Sequence, residues 1–240
     1  MNSICIATYN GEKYIREQLL SILGQITPID EVIISDDGST DATLKVIADI
    51  NDSRIKVYKA GYRNFKKNFE NALNHASGEY IFLSDQDDIW LPNKYTRCLE
   101  LLNSYDLVVT DSIVVNEELK EIIPSFFRYY KSGKGVLKNI FNNTYFGACM
   151  AFKRKILVNA LPLPLTKEIG HDVWLGLVAE MIGSVYFLEE PYLLYRRHSN
   201  ALTNISTNLS NRSNRKLYIK LMSRFIVFYK VFHFYIKNHD

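Results

Sequence analysis

Three polar turns carry the residue types that chemistry needs. They are Thr8-Tyr9-Asn10-Gly11, Asp36-Asp37-Gly38-Ser39-Thr40-Asp41 and Asp85-Gln86-Asp87-Asp88. The last sets three carboxylates within four residues, directly after the apolar run Tyr80-Ile81-Phe82-Leu83. Ionised carboxylates this close raise one another's pKa unless a cation neutralises them. Mg²⁺ or Mn²⁺ suits the need, because these hard cations take carboxylate oxygen and leave positions for water and phosphate. A solvated acidic turn that caps the next helix is the plainer reading of the same residues. In the second turn Gly38 permits a tight bend and Ser39 or Thr40 can cap the following helix. A carboxylate of Asp36 or Asp37 is then left to accept an N–H, such as the imide of a uracil or thymine ring. Thr8, Tyr9 and Asn10 offer a hydroxyl, a ring and an amide around the same base, or else form an ordinary strand-to-helix turn.

Two further positions lie far along the chain. Asp172, in Gly170-His171-Asp172-Val173-Trp174, opens a helical pattern running to Ala179. A carboxylate remote from the acidic turn suits a proton acceptor, and a capping role is compatible, since a helix N-terminus stabilises the anion. His198 ends the run Tyr195-Arg196-Arg197-His198. Its neutral imidazole could join a metal, and Arg196 or Arg197 could bind a diphosphate; a solvated basic strand end is the other reading.

The elements that must position these residues alternate strand and helix patterns, so the fold class is α/β, a mostly parallel sheet flanked by helices. Short apolar runs at Ile4–Ala7, Val32–Ile34, Ile55–Tyr58, Tyr80–Leu83 and Leu107–Val109 read as strands. Between them lie helical patterns, with Gly24 expected to close the first and Asn93 to cap the fourth. Tyr145–Met150 reads as a buried extended segment. Each polar turn follows a buried strand, and the carboxyl edge of an open parallel sheet is where ligands bind.

Composition narrows the partners. The net charge is +3, yet residues 205–240 hold seven basic side chains against Asp240, which leaves about −3 for the rest. An acidic body argues against nucleic acid as the partner. The basic segment reads as an amphipathic helical tail, residues 205–240, appended to a domain of residues 1–204. Arg212, Lys216, Lys220 and Arg224 form one row, opposite Tyr218, Leu221, Phe225, Phe228 and Phe232. This is the pattern of a helix lying in anionic headgroups, with docking on the domain or dimerisation as alternatives. Without a secretion signal or a spanning apolar run, and with Cys5, Cys98 and Cys149 in no ligand or disulfide pattern, the expectation is a cytoplasmic protein, peripheral on the inner face of the membrane.

The segments Ile4–Asn10, Ile33–Asp41, Gly78–Asp88 and Gly170–Trp174 together resemble family 2 glycosyltransferases, and among them the bacterial rhamnosyl- and hexosyltransferases of surface polysaccharide synthesis. The resemblance is collinear from Ser3 to about Thr203. It implies a GT-A (Rossmann-like) fold and an inverting enzyme that moves one sugar from a UDP- or dTDP-linked donor to a glycan acceptor, lipid-linked, in O-antigen or capsule assembly. By the same resemblance Thr8, Tyr9 and Asp37 contact the base. Asp85 and Asp87 form the D-x-D motif, with Asp87 the metal ligand and Asn10, Asp36 and Gln86 beside them. Asp172 is the general base, and Asn64 adds a contact on the sugar-nucleotide side. The Q-x-x-R-W sequence of processive synthases is absent after Asp172, which favours single transfer. The competing readings are a nucleotidyltransferase, which would want a basic glycine-rich loop after the first strand, and a non-catalytic nucleotide-sugar scaffold, which has no need of Asp172.

Overall fold

The computed structural model describes residues 1–198 and 217–237. The amino-terminal half alternates as expected: β1 (Ser3–Thr8), α1 (Ile15–Leu23), β2 (Glu31–Asp36), α2 (Thr43–Ala48), β3 (Ile55–Lys59), α3 (Phe65–His75) and β4 (Tyr80–Ser84). A two-residue strand, β5 (Ile89–Trp90), precedes α4 (Lys94–Leu102), β6 (Leu107–Val115) and β7 (Glu121–Ile123). Then come α5 (Phe126–Tyr130), α6 (Val136–Phe141), a 3-10 turn at Gly147–Cys149, β8 (Met150–Lys153) and α7 (Arg154–Ala160). The chain continues through α8 (His171–Ile182), β9 (Val185–Arg196) and α9 (Leu217–Lys237).

Among the described residues the strands form one sheet in the order β3-β2-β1-β4-β8-β6-β9-β5, with β7 paired to β6. The pairs β3–β2, β2–β1, β1–β4 and β6–β9 are parallel, whereas β8 and β5 run antiparallel to their neighbours. Every residue of β1 and β2 is buried, which explains their unbroken apolar runs: helices cover both faces. β3 lies at the edge, is exposed at Lys56, Val57 and Lys59, and its two lysines discourage further pairing. The three cysteines are free and buried.

Local details depart from the sequence reading. Gly24 closes α1 in right-handed rather than left-handed geometry. Asn93 adopts φ 68° and its side chain caps nothing; a short amide side chain tolerates that conformation where a branched one would not. The segment expected to be extended from Tyr145 coils at Gly147–Cys149 before β8 begins. A side chain at Gly147 would press on His171 and Leu83.

The segment set apart as a tail is joined to the body. Val227, Val231 and Phe234 of α9 are buried members of the main core, and Phe234 meets Trp174 of α8 edge-on at 5.5 Å. Ser223 donates to Glu168 at 2.8 Å. Each fully buried side chain of this size is worth roughly 1.5–3 kcal/mol, so α9 holds to the domain through a narrow i, i+4, i+7 stripe. Arg212, Arg215 and Lys216, and the proposed boundary at 204, lie outside the described residues.

Candidate active site

From β1 the chain moves to one side for β2 and β3, then returns to the other side for β4. The carboxyl end of β1 is therefore a topological switch point, where the loops part and leave a crevice. The ends of β1, β2, β4 and β9 enclose a cavity of about 470 Å³ there. Thr8, Tyr9, Asn10, Asp37, Asn64, Asp85, Gln86, Asp87 and His198 all line it, whereas Asp36 and Asp172 do not.

One wall is built by the Gln86 amide. Its oxygen accepts from the Thr8 hydroxyl at 2.7 Å and the Tyr9 N–H at 3.0 Å, while its NH₂ donates to the Tyr9 carbonyl at 3.1 Å. A Cβ at position 11 would come well inside contact distance of this amide oxygen, so a side chain there would have to push the Gln86 amide from its bonds. Asn10, at φ 48°, receives the Thr40 N–H on its side-chain oxygen and gives its own N–H to the Ser39 hydroxyl. Gln86 and Asn10 thus brace the turns besides facing the cavity.

The two neighbouring aspartates of the second turn divide their work. Asp36 is buried and turned into its own loop, accepting from the Gly38 N–H at 3.1 Å and from the Ser39 N–H and hydroxyl. Asp37 reaches across to the α3 entry and accepts the Arg63 and Asn64 N–H groups at 2.9 and 2.8 Å. Those bonds fix Arg63 in a left-handed conformation and leave further lone pairs toward the cavity. Asn64 caps α3 by accepting from the Lys67 N–H. Sequence reasoning missed Asn68, which is buried, lines the cavity and donates to the Thr8 carbonyl at 3.1 Å. Its side-chain oxygen is buried and has no hydrogen-bond partner among the described residues. The available signal was a polar residue inside the apolar stripe of α3, beside Phe69 and Ala72.

The opposite wall joins the acidic turn to the end of β9. Asp88 is buried and accepts the Arg196 N–H at 3.0 Å, pinning β9 to the turn. That contact delivers His198, whose Nε2 lies 2.8 Å from an Asp87 oxygen and whose ring packs on Tyr14 at 4.7 Å. The Arg196 guanidinium lies 4.8 Å from the same Tyr14 ring and pairs with Glu17 at 2.5 Å. Burial, then the Asp87 and Asp172 charges, push the Asp85 carboxyl up to about 8, with the buried Lys94 ammonium opposing. Among the described residues no cluster of three or more protein ligands exists. The donor set fits a cation whose coordination a phosphate completes, with one carboxylate and one imidazole from the protein.

Asp172 stands just outside, in the first turn of α8, accepting the Val173 N–H at 2.7 Å. Its charge nonetheless reaches Asp85. The loop before α8 is tied to α3 by Lys66, whose ammonium donates to the carbonyls of Pro164 at 2.6 Å, Ile169 at 3.2 Å and Thr166. His171 is buried and stacked on Phe69 at 4.1 Å, and burial lowers its pKa. On the far face of α8, Gly176 lets the buried Tyr145 ring lie against the helix.

Comparison with known proteins speaks to the family and the fold. Residues 3–160 match the family described as Glycosyl transferase family 2. The chain is 27% identical over 188 residues to the Escherichia coli UDP-Glc:alpha-D-GlcNAc-diphosphoundecaprenol beta-1,3-glucosyltransferase WfgD, covering 74% of this chain and 70% of WfgD. It is 27% identical over 236 residues to the Shigella flexneri dTDP-rhamnosyl transferase RfbG, covering 88% and 77%. Among solved structures, S. aureus TarS with UDP-GlcNAc superposes with a TM-score of 0.69 at 22% identity, over 83% of this chain and 59% of that one. The mannosyltransferase PcManGT from Pyrobaculum calidifontis, with GDP-Man and Mn²⁺, gives 0.59 at 22% identity, over 79% and 54%. The chain thus spans about 60% of the TarS structure that it matches. Asp172 and His198 lie beyond the segment that the family match covers.

Proposed function

The chain belongs to glycosyl transferase family 2, and on that premise we propose that it inverts configuration while moving one sugar from a UDP- or dTDP-sugar to a lipid-linked glycan. The observation that carries this reading is the division of the carboxylates. Asp37, Asp85 and Asp87 line the cavity, while Asp172 stands outside it yet close enough for its charge to act on Asp85. In this reading Tyr9 and Thr8 flank the base and Asp37 accepts its imide N–H. Asp85 faces the ribose and diphosphate, and the buried Arg196 guanidinium, already paired with Glu17, backs the same wall of the cavity. Asp87 and His198 would hold Mn²⁺ or Mg²⁺, which when bound offsets charge on the leaving diphosphate. Asp172 takes the proton of the acceptor hydroxyl as that oxygen bonds to the anomeric carbon and the sugar–phosphate bond breaks. The acceptor class follows WfgD, whose name specifies a diphosphoundecaprenol-linked sugar, and the choice of bases follows WfgD and RfbG.

Thermal melting with a panel of nucleotide sugars tests the reading. A UDP- or dTDP-sugar with Mn²⁺ is expected to raise the melting temperature where GDP-mannose does not. The product formed on a diphosphate-linked lipid should gain a single sugar of inverted anomeric configuration. Stabilisation by GDP-mannose alone, or retention of configuration, would overturn it.

Lys66 supplies a separate check on the acceptor side. Lys66→Met leaves three carbonyls of the loop before α8 without their common N–H donor. Because displacement of a catalytic group by even 1 Å is costly, kcat should fall about tenfold while UDP affinity holds. Equal losses in both would mark Lys66 as a general structural support.

The same proposal places the enzyme at a membrane face through α9. No helix of the described residues is long and apolar enough to cross a bilayer, and the contact proposed for α9 is a peripheral one. Phe225, Phe228 and Phe232 are exposed on α9, with Lys230 and Lys237 exposed among them.

A further inference from the structure

Helix α6 packs against α9 and extends its exposed apolar surface. Leu137 and Phe141, one turn apart on α6, are each 63% exposed, while Ile140 and Asn139 between them are buried. The fold thus buries the inner side of this short helix and presents two large apolar side chains outward. Isolated exposed apolar residues need no explanation, but exposed apolar side chains gathered on two helices that pack together mark a contact surface. Around it Lys131, Lys134 and Lys138 are exposed, and the sequence from 131 to 143 contains no acid. Residues 205–239 contain none either. Two acids bond to residues of this region. Glu180 accepts from the Gly135 N–H and the Tyr145 hydroxyl, and Glu168 accepts from Ser223.

We infer that α6 and α9 form one membrane-binding platform, in which Leu137 and Phe141 enter an anionic bilayer surface beside the α9 aromatics. The inference rests on the peripheral contact proposed above and adds a second, distant segment to it. Charge decides the occupant. A symmetric contact with a second copy places the same patch on both sides, which would set these lysines against their own kind. Anionic headgroups instead neutralise them while the acyl boundary takes the apolar side chains. The platform is fastened to the catalytic body through α8, since Phe234 packs on Trp174, two residues beyond Asp172. An acceptor anchored in that bilayer would meet the protein at a fixed distance from the proposed base.

The experiment is co-sedimentation of the full chain with phosphatidylcholine vesicles, with and without phosphatidylglycerol. The Leu137→Ser/Phe141→Ser variant should keep the wild-type melting temperature, because both side chains already face solvent. It should nevertheless bind phosphatidylglycerol vesicles about tenfold more weakly, the loss expected when two apolar side chains no longer insert. Should it bind like wild type while Phe225→Ser/Phe228→Ser releases the protein, α6 has no part and the α9 contact stands alone. If wild-type protein ignores both vesicle types, both proposals fall. A wild-type dimer that the α6 substitutions dissociate, with no vesicle binding, would assign the face to a second copy.

Discussion

Replacement of Asp172 by Asn is expected to lower kcat about 10²–10⁴-fold, the usual worth of general-base catalysis, with sugar-nucleotide affinity unchanged. The substitution isolates proton acceptance. An asparagine oxygen can still receive the Val173 N–H that Asp172 Oδ1 receives now, so the first turn of α8 should keep its shape. Asp172 also lies outside the cavity that would hold the nucleotide, which is why affinity should hold. Single-turnover rates beside UDP titrations make the measurement. Normal turnover, or a loss of affinity in place of rate, would show that the proton leaves by another route.

The second large effect belongs to Asp87. Asp87→Ala should reduce turnover at least about 100-fold, because it removes the carboxylate proposed to hold the cation at the diphosphate. It should also abolish the thermal stabilisation that Mn²⁺ adds to bound sugar nucleotide. In the unaltered enzyme a chelator should silence transfer, and Mn²⁺ or Mg²⁺ should restore it. His198, 2.8 Å from Asp87, is the other side chain proposed to hold the cation, and His198→Ala should weaken the Mn²⁺ response in the same direction by a smaller factor. Full activity in chelator would remove the cation from the mechanism.

Much of this was legible in the sequence, because strand ends announce themselves. Apolar runs that stop abruptly at Thr8, Asp36 and Ser84 have only one common place to stop in a parallel sheet, its carboxyl edge. What remained hidden depends on long-range contact. Whether Asp36 or Asp37 faces the cavity turns on the Arg63 and Asn64 N–H groups that only Asp37 meets. The bond from Asp88 to the Arg196 backbone joins residues 108 positions apart, and no local pattern encodes it. Lys66 and Lys94 look like ordinary helix lysines in sequence; one gathers three carbonyls, and the other is fully buried with its ammonium on the Ala148 carbonyl. The amphipathic pattern of the last helix was plain, but helical periodicity cannot tell a docked stripe from a free one. Val227, Val231 and Phe234 are buried only because α6 and α8 lie beneath them.

The bracing of the turns also limits how specificity can be redesigned. Gly11 gives its N–H to the Thr43 hydroxyl, Glu12 accepts from the Ala42 N–H, Asn10 engages Ser39 and Thr40, and Gln86 clamps Thr8 and Tyr9. Three stretches far apart in the chain therefore behave as one cassette. A loop grafted from a relative at positions 8–11 alone would arrive without its partners at 39–43 and 86, and any larger residue at 11 would strike the Gln86 amide. Chimeras intended to change the base proposed to bind here should carry all three stretches together. Libraries that randomise one stretch at a time will sample mostly broken combinations.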